Sequence, residues 1–166
     1  MLSMLLWHYE LNIPLGSMWA AFDERGRLRF LKFGTLDPRA TMPLAPKSQR
    51  EVYRFLVRQL EAYFAGTLRT FTVPLDPMGT EFHQRVWDEV MAIPYGRTLE
   101  LDKLVHRLGG DAVREEVLEA LSANPIEILL PIHRVVSTEG AFPGYTPGSA
   151  IQKALLTHES GPLVAD

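Results

Sequence analysis

Asn124-Pro125-Ile126-Glu127-Ile128-Leu129-Leu130-Pro131-Ile132-His133-Arg134-Val135-Val136 is the stretch on which the reading of this chain turns. Its apolar part, residues 126–130, reads as a short buried strand or extended segment. Downstream, Gly140, Pro143, Gly144, Pro147 and Gly148 predict a tight loop, and a last helix is expected over about 150–158. Upstream, a short helix is expected over about Leu101–Leu108, then a tight turn at Gly109-Gly110. Asp111 is expected to cap a second helix running to about Ser122. Two short helices across a glycine turn form a helix-turn-helix pattern. Before them, Thr80 caps a helix expected to turn Phe82, Val86, Trp87, Val90 and Met91 inward, and Ile93-Pro94-Tyr95-Gly96 stops it.

The first half has a different texture. Residues 5–11, 17–22 and 27–33 are strand-like, and Arg27-Leu28-Arg29-Phe30-Leu31-Lys32-Phe33 largely alternates polar and apolar. Asp23-Glu24-Arg25-Gly26 reads as a turn, so residues 4–34 are expected to form an antiparallel meander. Three prolines mark residues 35–47 as loop. Ser48 with Glu51 makes a capping-box pattern ahead of a helix with Val52, Phe55, Leu56, Leu60, Tyr63 and Phe64 on one side. Arg50, Arg54 and Arg58 fall on its outer, solvated face, and Gly66 ends it. Pro74, Pro77 and Gly79 predict a boundary, giving an N-terminal domain over 1–74, a linker over 75–79 and a C-terminal domain over 80–166.

The composition narrows the function. With 166 residues and 46% apolar content the chain can bury a core, so wholesale disorder is excluded. A net charge of −3 and a pI near 6.0 do not describe a generally basic nucleic-acid binder. Cysteine is absent, which removes disulfides, thiolate metal sites and any cysteine nucleophile. The apolar start lacks a basic segment and meets His8 and Glu10 too soon for a signal peptide, and no run reaches membrane-span length. His8, His83, His106, His133 and His158 show no close ligand spacing, and there is no phosphate-cradling glycine loop or dinucleotide fingerprint. A cytoplasmic monomer without metal or cofactor is expected.

Taken together, Phe82-His83-Gln84-Arg85-Val86-Trp87, Ile93-Pro94-Tyr95-Gly96-Arg97-Thr98, Asn124-Pro125, Pro131-Ile132-His133-Arg134-Val135-Val136, Gly140, Gly144-Tyr145 and Leu155-Leu156-Thr157-His158-Glu159 resemble, in order and spacing, the O6-alkylguanine-DNA alkyltransferase family. Tyr63-Phe64-Ala65-Gly66 and Pro74-Leu75-Asp76-Pro77 resemble that family's N-terminal domain, so the resemblance covers nearly the whole chain. It implies an α/β fold in two parts. The first is a ribonuclease-H-like small antiparallel sheet with helix; the second is mainly helical and winged-helix-like, with a helix-turn-helix. In the family the helix-turn-helix enters the minor groove, an arginine fills the gap left by a flipped nucleotide, and a tyrosine helps rotate the phosphate. The damaged guanine enters a pocket beside a Pro-Cys-His-Arg-Val motif, whose cysteine takes the alkyl group irreversibly. That cysteine is activated through water by the histidine and a glutamate near the C-terminus.

Carried over residue by residue, the resemblance puts Ile132 at the acceptor position. A saturated hydrocarbon has no lone pair and cannot attack a carbon electrophile, so transfer to a cysteine is impossible here and no enzymatic alkyl transfer is expected. His133 and Glu159 match the base and its orienting carboxylate, Asn124 the asparagine that braces the turn before the site, and Arg134 the arginine that ties the segment down through a carboxylate or carbonyls. Tyr145 and Thr146 match the loop that contacts the flipped base, where a tyrosine hydroxyl can donate to a guanine oxygen. The main-chain carbonyls of Ile132 and Val135 would accept from the guanine amine. Pro147 stands where the family prefers glycine and predicts a reshaped loop.

The positions facing DNA depart further. Leu101 aligns with the phosphate-rotating tyrosine and Glu115 with the arginine finger. Arg114 is adjacent, but one residue along a helix turns a side chain by about 100°. Residues 80–160 hold seven Lys or Arg against twelve Asp or Glu, whereas residues 1–79 hold ten against seven. The half expected to hold DNA therefore carries the unfavourable sign. Two readings follow. One is an alkyltransferase-like repair protein that flips O6-alkylguanine out of alkylated double-stranded DNA without transferring the alkyl group, and flags it for excision-repair proteins. The alternative is a diverged homologue that no longer binds DNA and serves protein interaction or an unknown ligand.

Overall fold

The computed structural model describes residues 5–36, 47–138, 140–141 and 145–161. The chain forms two compact units that divide between Met78 and Gly79. In the first, β1 (Trp7–Ile13), β2 (Gly16–Phe22) and β3 (Leu28–Phe33) make the expected antiparallel meander in the order β1-β2-β3. The β1–β2 register closes at Ile13 opposite Gly16, and a register shift at Ala21/Phe22 bends β2 against β3. The β2–β3 turn is pinned by Asp23, whose Oδ1 accepts from the backbone N–H of Arg25 (2.9 Å) and Arg27 (3.0 Å). Gly26 supplies the left-handed conformation, φ 74°, that this turn needs.

Helix α1 (Lys47–Phe64) belongs to the same unit. Leu56, Leu60 and Tyr63 from α1 are buried, as are Leu11, Met18, Ala20 and Leu31 from the sheet, while Arg50, Arg54 and Arg58 are exposed as the periodicity requires. The helix begins at Lys47, so Ser48 lies inside its first turn and not at the cap that the Ser48–Glu51 pattern suggests. Its end is a Schellman motif: Thr67 N–H donates to Ala62 O (2.9 Å), Gly66 N–H to Tyr63 O (3.0 Å), and Gly66 has φ 79°. Beyond it, Leu28 N–H donates to Pro74 O (2.8 Å) and Asp76 N–H to Leu28 O (3.0 Å), so the chain is tied to β3 as far as Asp76. The Asp76 carboxylate also pairs with Arg27 (2.7 Å) and with Arg29.

Among the described residues, the second unit has four α-helices and a small sheet. Helix α2 (Glu81–Met91) starts at Thr80, whose hydroxyl accepts from His83 N–H at 3.1 Å. Val86, Trp87 and Val90 are buried, but Phe82 is only half-buried and Met91 is 47% exposed, so its apolar stripe is narrower than the sequence predicts. Trp87 Nε1–H donates to Ala120 O at 2.8 Å, which fastens α2 to the later helix of the pair. Gly79 lies so close to Trp87 that an added Cβ would come within 2.5 Å of the indole ring.

Strand β4 (Leu99–Glu100) leads into α3 (Leu101–Leu108). Asp111 does not cap the next helix. It opens a 3-10 turn over Asp111–Val113, and α4 spans only Arg114–Ser122, because Gly110 at φ 82° must first redirect the chain. Strands β5 (Val135–Ser137) and β6 (Gly140–Ala141) complete a sheet in the order β4-β5-β6, parallel then antiparallel. Helix α5 (Ser149–Ser160) begins one residue and ends two residues beyond the expected span. The loop expected around Pro143 and Gly144 lies outside the described residues.

Candidate functional site

The segment expected to be a short strand or extended segment, residues 126–130, is instead a buried knot of turns. Asn124 Oδ1 accepts from Ile126 N–H (2.9 Å) and its amide donates to Leu130 O (3.4 Å); Leu130 N–H closes on Ile126 O (3.2 Å). Ile128 takes φ 69°, a left-handed conformation unusual for a β-branched residue. An unbroken apolar run looks the same whether it is extended or coiled. Here the Asn124 side chain selects the coiled form by satisfying backbone groups that a strand would pair with a neighbour.

This knot delivers Pro131 into a 3-10 turn, Ile132–Arg134, whose three side chains are all buried. Ile132 is 1% exposed and presents only hydrocarbon. His133 is fully enclosed, and its Nε2 lies 2.8 Å from Glu159 Oε1 on α5. Arg134 makes a two-point contact with the same carboxylate, Nε to Oε2 and Nη2 to Oε1, both 2.9 Å. Its Nη1 donates to Ile93 O at 2.7 Å. The arginine therefore uses both a carboxylate and a carbonyl to hold the segment, as its place in the sequence suggests.

The charges explain the geometry. Burial alone would raise the Glu159 carboxyl, but the hydrogen bonds from His133 and Arg134 hold it well below the usual carboxylate range. Burial is also the largest effect on His133 and pushes it below its ordinary value. Glu159 opposes that shift and Arg134 reinforces it. With Arg134 as the permanent cation, the neutral imidazole must donate from Nε2 to the carboxylate, which leaves the lone pair on Nδ1. Among the described residues nothing donates to that Nδ1.

Tyr145 is 6% exposed, and its hydroxyl likewise finds no partner among the described residues. Burial, followed by repulsion from Glu127 and Glu159, raises its phenol, so it stays a neutral O–H donor. Thr146 is exposed, and its hydroxyl donates to Ser122 O at 3.1 Å, which ties this loop to the end of α4. Sequence reasoning overlooked Gln152: it is fully buried on α5 and its amide donates to the carbonyls of His133 (3.2 Å) and Val135 (2.8 Å). A glutamine in a helix carries no pattern that would single it out beforehand. A groove of about 660 Å³ runs along α5 past Gly96, Thr98, Val136, Lys153 and Leu156. Ile132, Val135, Tyr145 and Thr146 do not line it.

The residues aligned with DNA contacts are placed less favourably. Leu101 is 7% exposed at the start of α3 and belongs to the core. Glu115, Glu116 and Glu119 are exposed on α4. Arg114, the helix's sole base, forms an ion pair with Asp102 of α3 at 2.6 Å and lies 3.9 Å from Asp111. Among the described residues no cluster of three potential metal ligands occurs, and no helix is long and apolar enough to cross a membrane.

The protein thus joins a small meander with one helix to a helical unit that carries a helix-turn-helix and a buried His–Glu–Arg network. Residues 6–77 match the ribonuclease-like domain of 6-O-methylguanine DNA methyltransferase, and residues 81–161 match its DNA binding domain. The chain belongs to the 6-O-methylguanine DNA methyltransferase family. It is 38% identical over 146 residues to the methylated-DNA–protein-cysteine methyltransferase of Methanosarcina acetivorans, covering 88% of this chain and 93% of that one. Its counterpart in Mycobacterium tuberculosis is 42% identical over 110 residues, 66% of this chain and 67% of that one. The crystal structure of the M. tuberculosis O6-methylguanine methyltransferase superimposes with a TM-score of 0.81 at 33% identity, covering 98% of this chain and 97% of that one. The crystal structure of M. tuberculosis OGT in complex with DNA superimposes at 0.79, with 92% of each chain covered.

Proposed function

We propose that this protein recognises O6-alkylguanine in double-stranded DNA by flipping the base, without accepting the alkyl group. The observation that carries the reading is a buried His133–Glu159–Arg134 network directly after a position, Ile132, that holds hydrocarbon. A network with no thiol to activate still shapes a pocket wall, and the Tyr145 hydroxyl supplies a donor for the O6 side of a purine. The carbonyls of Ile132 and Val135 supply acceptors for the guanine amine. Flipping costs a few kcal/mol, which a fitted pocket offsets. On this reading the protein acts as a cytoplasmic monomer and hands the marked lesion to excision-repair proteins.

The test is a fluorescence titration of duplexes with and without O6-methylguanine at two salt concentrations, paired with intact mass spectrometry. Tighter binding of the lesion duplex with no mass gain on the protein is expected. Equal binding at low salt, or a protein heavier by one methyl, overturns the reading.

A second reading, a homologue that has left DNA for protein interaction or an unknown ligand, is favoured by α4. Its three glutamates are exposed, and its single arginine is engaged by Asp102. Under that reading the same titration shows no lesion preference.

A further inference from the structure

Gln152 contributes no group that could touch a base, yet it holds the site segment more directly than any other residue of α5 except Glu159. Its side chain is fully buried, one turn into α5. The two hydrogens of a carboxamide nitrogen point in different directions, and here they reach two carbonyls two residues apart, those of His133 and Val135. These carbonyls flank Arg134, at the point where the 3-10 turn gives way to β5. Arg134 fixes the side-chain end of this segment through Glu159 and Ile93; Gln152 fixes its backbone. A carbonyl oxygen has two lone pairs, and the 2.8 Å bond from Gln152 to Val135 uses one of them.

We propose that Gln152 is a positioning residue for purine selectivity: by holding the Val135 carbonyl in one direction, it presents the second lone pair to the exocyclic 2-amino group of a flipped O6-alkylguanine. This rests on the reading that the site receives such a base. A purine with the same O6-alkyl group but no 2-amino group cannot make that hydrogen bond and loses its net contribution. The side chain must therefore be a neutral or cationic donor long enough to span from α5 to two carbonyls. A hydrocarbon of equal length would pack there but leave both carbonyls without a donor and free to rotate.

Duplexes of one sequence carrying O6-methylguanine, O6-methylhypoxanthine or unmodified guanine are titrated against wild type, Gln152→Met and Gln152→Lys. Wild type is expected to prefer O6-methylguanine over O6-methylhypoxanthine by about three- to tenfold. Gln152→Met is expected to reduce that ratio to near one while binding O6-methylhypoxanthine about as well as wild type does. Gln152→Lys, which keeps a donor of similar reach, is expected to retain the preference. Equal loss for both lesions in Gln152→Met marks a merely structural role and overturns the inference. So does a wild type that binds both lesions alike. In each of these cases the preference for lesion over unmodified guanine still stands, so the broader reading survives. A wild type that prefers neither lesion over guanine overturns both. If Gln152→Met does not fold, the lysine variant decides, since a folded Gln152→Lys without the preference is equally fatal.

Discussion

At the scale of single residues, the site keeps the His133–Glu159–Arg134 wiring but has isoleucine, not cysteine, at position 132. Ile132→Cys would restore a thiol next in sequence to the neutral His133, whose imidazole could then assist thiolate formation. That variant is expected to acquire an alkyl adduct from a free O6-alkylguanine base, while wild type acquires none, both read by intact mass. Repair of lesion-containing duplex by the same variant is expected to remain slow, since α4 is unchanged. Glu159→Gln removes the carboxylate that both His133 and Arg134 face and leaves the buried guanidinium uncompensated. A loss of about 3 kcal/mol in unfolding free energy is expected from denaturant titration.

The pH dependence has a definite sign. Because burial lowers His133 in the folded state, the unfolded chain takes up a proton that the folded chain refuses. Stability is full above about pH 7 and falls as the pH drops through the unfolded value near 6.5. His8 in the first unit acts in the same direction through its own burial. The depressed carboxyl of Glu159 contributes a loss only below about pH 4, the ordinary carboxylate range. The melting temperature is therefore expected to be lower at pH 5.5 than at pH 7.5, and His133→Gln is expected to shrink that difference without removing the share due to His8.

At the scale of elements, the chain is legible where a residue type has one physical use. Alternation in residues 27–33 marks β3, Gly66 marks the end of α1, and Thr80 marks the start of α2, whose cap is expected to be worth about 1 kcal/mol in a Thr80→Ala variant measured by denaturant unfolding. It is not legible where two structures share one pattern. Residues 126–130 are apolar whether extended or knotted, and only the Asn124 bonds decide. Strands of two or three residues, such as β4 and β6, are too short to show a period. Likewise His133, Glu159 and Asn124 were identifiable through the family resemblance, whereas Gln152 and the Asp102–Arg114 pair depend on contacts between elements. On the proposed reading, α4 is the element on which DNA engagement turns. Glu115→Arg is expected to tighten binding to any duplex and to steepen the log–log salt dependence by about one unit, as one added phosphate contact should.

At the scale of the whole molecule, the two halves carry opposite net charge, and the acidic one holds the helix-turn-helix. On the proposed reading, long-range steering toward a polyanion is weak, so selectivity for the lesion rests on short-range contacts at the site. Unmodified duplex is accordingly expected to bind weakly and with a shallow salt dependence. The enclosed Nδ1 of His133 gives that site a built-in reporter. An unprotonated imidazole nitrogen has a nitrogen-15 resonance far from that of its protonated neighbour in the same ring, and a change in the hydrogen-bond donor against it shifts that resonance. A single magnetic-resonance line from a histidine-labelled sample can thus register entry of a guest, with no chemistry performed and no dye attached to either molecule.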